Sequence, residues 1–141
     1  MKQMNYLLAP MYAKRQTDII EIMITSAIES AKELHSDYIQ LKAGGWNHYN
    51  HDFGFDEMKD SERYTPYVEA RRVFFFLLKK FTDESCVSGA KILGKDHATF
   101  LHHNKTIENL CFSSPSYSAF IDSVIDRTAK MLIVHSSQSR T

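Results

Sequence analysis

GKDHATFLHHNKTIENL, Gly94 to Leu110, decides how the rest of this chain is read. Behind a glycine and a Lys-Asp-His triplet it runs through three histidines and two lysines without a helix breaker. Placed at about 100° per residue over 96–111, Phe100, His103, Asn104, Ile107, Leu110 and Cys111 fall on one mostly apolar side. Ala98, Leu101, His102, Lys105 and Asn109 fall on the other, and Asp96, His97 and Thr99 gather at the N-terminal tip. The stretch therefore predicts a helix with a core face, an outer face of small and basic residues, and a polar tip.

The residues just upstream give that helix a setting. A short helix over about Ser85–Leu93 and a tight turn at Gly94-Lys95 precede it, with Ala90 and Gly94 four positions apart. A helix-turn-helix needs a small residue where its two helices cross and a glycine able to take positive φ in the turn. Its second helix enters the DNA major groove with N-terminal residues at the base edges. The residue types suit that task. Lys95 can reach a phosphate, and the helix N-terminus itself favours one. Asp96 can accept from cytosine N4, His97 can donate to a purine acceptor, and the Thr99 methyl can meet a thymine methyl.

Working outward, Thr17–Leu34 carries Ile20, Ile24, Ala27, Ala31 and Leu34 at helical spacing, with Thr17 or Asp18 as N-cap. From Gly44-Gly45, GGWNHYNHDFGFDEMKDSERYTP mixes aromatics, polar residues and glycines without a period, and reads as a long loop or arm. Pro66 opens a helix to about Phe81 whose load of Val68 and Val73 to Leu78 marks the centre of a bundle. After a break at Ser113–Ser116, a last amphipathic helix carries Tyr117, Phe120, Ile121, Val124, Ile125 and Leu132. The expected fold class is all-α, a bundle of five or six helices containing a helix-turn-helix, with an irregular aromatic-rich insert. Residues 1–63 form the N-terminal helix and arm, 64–134 the helix-turn-helix domain, and 135–141 a frayed tail.

Composition narrows the function. With 141 residues, 43% hydrophobic and 12% aromatic, the chain can bury the core of one ordinary domain. No apolar run approaches the length needed to span a bilayer, and the N-terminal stretch lacks a signal-peptide core, so a cytoplasmic protein is expected. Cys86 and Cys111 read as buried thiols. The net charge is zero, yet its distribution is uneven. Residues 1–70 hold seven basic and eleven acidic side chains, whereas 71–105 hold seven basic against three acidic. A local basic block is what phosphate binding requires, because affinity follows the charges near the backbone.

LGKDHATFLHHNKTIENL resembles the signature of the C-terminal DNA-binding domain of the bacterial replication initiator DnaA, at Gly94, Lys95, Asp96, His97, Ala98, Thr99, Phe100, Leu101, His102, Lys105, Ile107 and Glu108. VEARRVFFFLLKKF is similar to the helix that precedes the motif in that family, and the likeness extends over roughly 65–134. The resemblance implies DNA contact by Lys95, Asp96, His97, Ala98 and Thr99, with His102, Lys105 and Lys91 nearer the backbone and Arg71 reaching the minor groove. It departs from the family at Ala98, where the initiators often have threonine, and at His103 and Asn104, which replace small apolar residues on the core-facing side. Those two changes imply a repacked core or a covered face. No GxxxxGK[ST] phosphate loop occurs, so no ATPase module is expected.

The partner expected is double-stranded DNA, for a replication accessory or transcriptional regulator of a bacterium, phage or mobile element. The alternative is a structural or adaptor protein that keeps the fold for protein contacts. Residues 1–63 offer a surface for a protein partner, and the oligomeric state stays open. Catalysis has no signature here, and neither a cofactor nor a metal is expected. His97 and His102 are five apart where a helical zinc site needs four, and His48, His51 and Asp52 sit in a loop without cysteines. Trp46, Tyr49, Phe53 and Phe55 are expected to pack on the domain itself rather than on bases.

Overall fold

The computed structural model describes residues 16–43 and 52–138. Among them there are seven helices and no strand. They are α1 (Gln16–Leu34), α2 (Ser36–Ala43), α3 (Phe55–Lys59), α4 (Thr65–Phe81), α5 (Cys86–Ile92), α6 (His97–Ser113) and α7 (Pro115–Gln138). No helix among the described residues is long and apolar enough to cross a membrane.

The central helix is α4, and its sequence explains why. Pro66 sits in the first turn, where its missing N–H costs nothing. From Val73 to Leu78 every side chain is apolar and buried, so all sides of the helix are covered by neighbours. α1 and α6 pack on α4 from separate elements, α3 covers its N-terminal part, and α7 bridges α1 and α6. Thr82 ends the helix, with its N–H 3.0 Å and its hydroxyl 2.6 Å from the Leu78 carbonyl. Ser85 then starts α5 through a capping box, its hydroxyl accepting from Ser88 N while the Ser88 hydroxyl accepts from Ser85 N, both at 3.1 Å.

The structure rotates the expected stripe of α1 by about one residue. Ile19, Met23, Ala27 and Ala31 are buried, with Ser26 and Ser30 beside them, while Ile20 and Ile24 are only partly buried and Leu34 is exposed. Small residues let α1 lie close to α4 and α7. The one polar pair at this contact, Ser26 and Thr128, satisfies itself with a 2.8 Å hydrogen bond between hydroxyls. α1 begins at Gln16, which places Thr17 and Asp18 inside the helix rather than at its cap.

Two further differences concern the insert and the tail. The span expected to be an irregular loop contributes α3 and three buried side chains, Phe53, Met58 and Tyr64. Phe53 and Tyr64 meet Tyr67 edge to face at 5.0 and 4.8 Å between centroids, so this part of the insert is core. α2, which no periodicity announced, follows α1 directly. At the other end α7 continues through His135 to Gln138, past the expected start of fraying. Gly44, Gly45, Trp46, His48, Tyr49 and His51, with residues 1–15 and 139–141, lie outside the described residues.

Candidate nucleic-acid interface

α5, the turn and α6 form a helix-turn-helix whose two glycines do different work. Gly94 has φ +69°, the one positive φ among the described residues, and open space where a Cβ would be. Its requirement is conformational. The turn closes through Gly94 N–H to Lys91 O and Lys95 N–H to Ala90 O, both 2.9 Å. Gly89 has the opposite need. A Cβ there would stand 2.8 Å from Cε2 of Phe100, a ring buried against Phe75. The crossing of α5 and α6 therefore depends on Gly89 as well as on Ala90, the small residue expected from the sequence, which is fully buried.

α6 is seated by its inner face. Phe100, Asn104 and Ile107 are buried, and Phe75 and Phe100 stack tilted at 5.1 Å. Asn104 answers the question of a polar residue on that face: its amide nitrogen donates to the carbonyls of Phe100 at 3.1 Å and Phe75 at 3.4 Å. That bond ties α6 to the central helix and satisfies a buried amide. His103 is partly buried over Phe75 at 5.8 Å. Burial first, and then the nearby charges of Arg72, His102 and Arg71, lower its pKa from 6.5 to about 4, so the ring is neutral at pH 7.

The tip and outer face stay in solvent. Asp96 is the N-cap, its Oδ1 accepting from Thr99 N at 2.8 Å and from the Thr99 hydroxyl at 2.9 Å. These bonds hold its carboxyl below the usual carboxylate range. They also fix the Thr99 rotamer. His97, Ala98, Leu101, His102 and Lys105 are exposed, and Lys105, Leu101 and Ala98 line a shallow depression of about 550 Å³ with Lys79. Asp96, His97, Ala98, Thr99, His102 and Lys105 thus come together on one projecting surface. Lys91 stands exposed in the last turn of α5 and lines neither this depression nor the cleft next to it.

That cleft, of about 620 Å³, lies between α6, the N-terminal half of α4 and the loop before it. Lys95, Thr99, His102 and His103 form one wall; Arg63, Arg71 and Arg72 form the other. Arg71 is 6% exposed, and its guanidinium is engaged from within. Nε donates to Met58 O at 2.6 Å and Nη2 to Glu57 O at 3.2 Å, capping the C-terminal carbonyls of α3. The minor-groove role that the sequence implies for Arg71 requires both bonds to be given up. Lys95 leans the same way, with Nζ 3.2 Å from Asp60 O. At the base of the cleft Glu69 is 4% exposed. Burial pushes its carboxyl up, but hydrogen bonds from His35 at 3.2 Å and Tyr117 at 2.6 Å, with the Arg72 charge, leave it below the ordinary value. Arg63, Arg72 and His103 escaped the sequence reading because their partners lie far away in the chain.

Among the described residues, no group of three or more His, Cys, Asp or Glu side chains is placed to hold a metal ion. Cys86 and Cys111 are free thiols.

No family model matches the chain, and no solved structure matches it. Among curated proteins it is 31% identical over 94 residues to the chromosomal replication initiator protein DnaA of Flavobacterium psychrophilum, covering 66% of this chain and 19% of that protein. It is 38% identical over 91 residues to DnaA of Bdellovibrio bacteriovorus, covering 64% of this chain and 17% of that one. The chain thus spans less than a fifth of the length of the curated relatives it matches. Over about two thirds of its length, this helical bundle is similar to the initiator DnaA, in the manner of a fragment like that protein's C-terminal domain.

Proposed function

We propose that this protein binds double-stranded DNA sequence-specifically, with α6 in the major groove, as a replication accessory or transcriptional regulator. The observation that carries the reading is the division of α6. Its inner face is anchored to α4 by Phe100, Asn104 and Ile107, so its tip is held rigidly while His97 and Ala98 remain exposed and available to bases. A reading helix needs both properties at once.

Roles follow from position. His97 donates to a purine acceptor, and the Ala98 methyl meets a base edge or thymine methyl. Asp96 already accepts two hydrogen bonds on Oδ1, which leaves Oδ2 for a cytosine amino group. Lys95, His102 and Lys105 lie toward the phosphates, and Arg71 adds positive potential from the cleft wall. The printed name of both relatives, a replication initiator, favours a part in starting replication over other uses of DNA binding.

Selection from a randomised duplex pool, run beside Asp96→Ala/His97→Ala, tests this. The reading expects a motif that the wild type enriches and the double variant loses. No enrichment, with no duplex binding even at low salt, overturns it and leaves this face as a surface for protein contacts.

A further inference from the structure

We propose that the cleft between α6 and the loop before α4 is a built subsite for one DNA backbone phosphate, clamped by Arg63, Arg72 and Lys95. The inference rests on the duplex-binding reading above and deepens it by naming residues that the motif does not contain.

Charge is the first argument. Four cations, Arg63, Arg71, Arg72 and Lys95, face this cleft against one carboxylate, Glu69. That carboxylate is already satisfied by His35, Tyr117 and Arg72, so it repels an incoming anion less than a bare one would. Asp60 and Glu62 in the adjoining loop partly offset Arg71. They do not cancel the excess. Concentrated positive charge in a concave, partly desolvated wall is the arrangement that favours a phosphate over a diffuse counterion.

Unused donors are the second. Arg72 reaches Glu69 with Nη1 at 3.5 Å, and its buried Nε has no hydrogen-bond partner. Lys95 directs Nζ at the Asp60 carbonyl, but an ammonium carries three donors and this bond uses one. Arg63 is exposed at the rim and makes no ion pair among the described residues. The side chain of Lys95 is therefore steered, and the arginines supply planar forks suited to phosphate oxygens.

Position is the third. Thr99 and His102 belong both to the outward part of α6 and to the cleft wall. With α6 in the major groove, the strand bordering that groove must pass beside these two residues. The cleft receives it there. The depression on the other side, by Lys79 and Lys105, is more open and holds a carboxylate at Glu108, so it is the weaker of the two.

The test uses the full chain and a duplex selected by the wild type. For Arg63→Ala the log–log salt slope should fall by about 0.9, the value of one neutralised phosphate, with affinity reduced several-fold across all sequences and the enriched motif unchanged. Arg63→Glu should lose more, and thermal unfolding of both should match the wild type because Arg63 is exposed. In duplexes carrying a single neutral methylphosphonate, one position or two neighbours should weaken wild-type binding and leave Arg63→Ala indifferent. A wild-type slope in Arg63→Ala, with the motif still lost by Asp96→Ala/His97→Ala, overturns the clamp alone. Absence of duplex binding by the wild type overturns the clamp together with the reading. Stabilisation by inorganic phosphate alone, without a slope change in the variant, assigns the cleft to a free phosphate and also overturns it.

Discussion

The two halves of α4 face the same helix, α6, with different chemistry. The C-terminal half, Val73 to Phe81, is wholly apolar, and Phe75 seats α6 through Phe100. The N-terminal half carries Glu69, Arg71 and Arg72, each engaged with partners from other parts of the chain. Burial of side chains worth about 1.5–3 kcal/mol each fixes where α6 lies. The polar half contributes less to that placement, yet it shapes the cleft next to the tip. Stability and the candidate binding surface are thus drawn from opposite ends of one helix.

The comparison can be broken hardest at Phe75. Phe75→Ala should destabilise by about 3–5 kcal/mol in denaturant unfolding, since the cavity removes the seat of α6. Next comes the polar end. Glu69→Leu strands His35, Tyr117 and Arg72 and should cost about 2–3 kcal/mol, while leaving α6 on its apolar seat. Because the folded pKa of Glu69 lies below the ordinary value, its contribution is full above pH 4.5 and lost as pH falls through that lower value. The variant should therefore flatten acid unfolding below pH 4.5.

Smaller changes sharpen the picture. Gly89→Ala presses a methyl into the Phe100 ring and should cost about 1–3 kcal/mol, whereas Gly94→Ala strains only the backbone and should cost about 1–2 kcal/mol. A larger bulk, as in Gly89→Val against Gly94→Val, should widen that gap, because only the first site is sterically filled. The least effect concerns His103. Its folded pKa of about 4 lies below 6.5, so between those values the unfolded chain holds the proton and the folded chain does not. Stability should rise with pH across that window and level off above 6.5. The amplitude is about 1–2 kcal/mol after allowing for screening at a partly exposed ring, and His103→Phe should remove it.

What the sequence made legible follows the same divide. Period and punctuation located α4, α5 and α6 within a residue or two, since Pro66, Ser85, Gly94 and Asp96 act on their immediate neighbours. The inner face of α6 was legible too, because Phe100, Asn104 and Ile107 obey one helical period. The stripe of α1 was misplaced by a residue: hydropathy favours Ile20 and Ile24, but close approach to α4 and α7 favours the small Ser26, Ala27, Ser30 and Ala31. α3 was missed because five residues hold no period, and its burial depends on Arg71, thirteen and fourteen positions away. Arg71 itself was read from the motif as outward-facing. Its carbonyl partners belong to α3, which no local pattern exposes.

The most direct test of the central claim is a titration of the isotopically labelled protein with duplex DNA, followed by amide chemical shifts. The expected perturbations fall on Lys95 to His102, on Lys105 and on the loop holding Arg63, with α1 and the outer side of α7 unchanged. Shifts confined to α1 or α7, or none up to saturating duplex at low salt, would contradict the assignment of α6 as the DNA-reading helix.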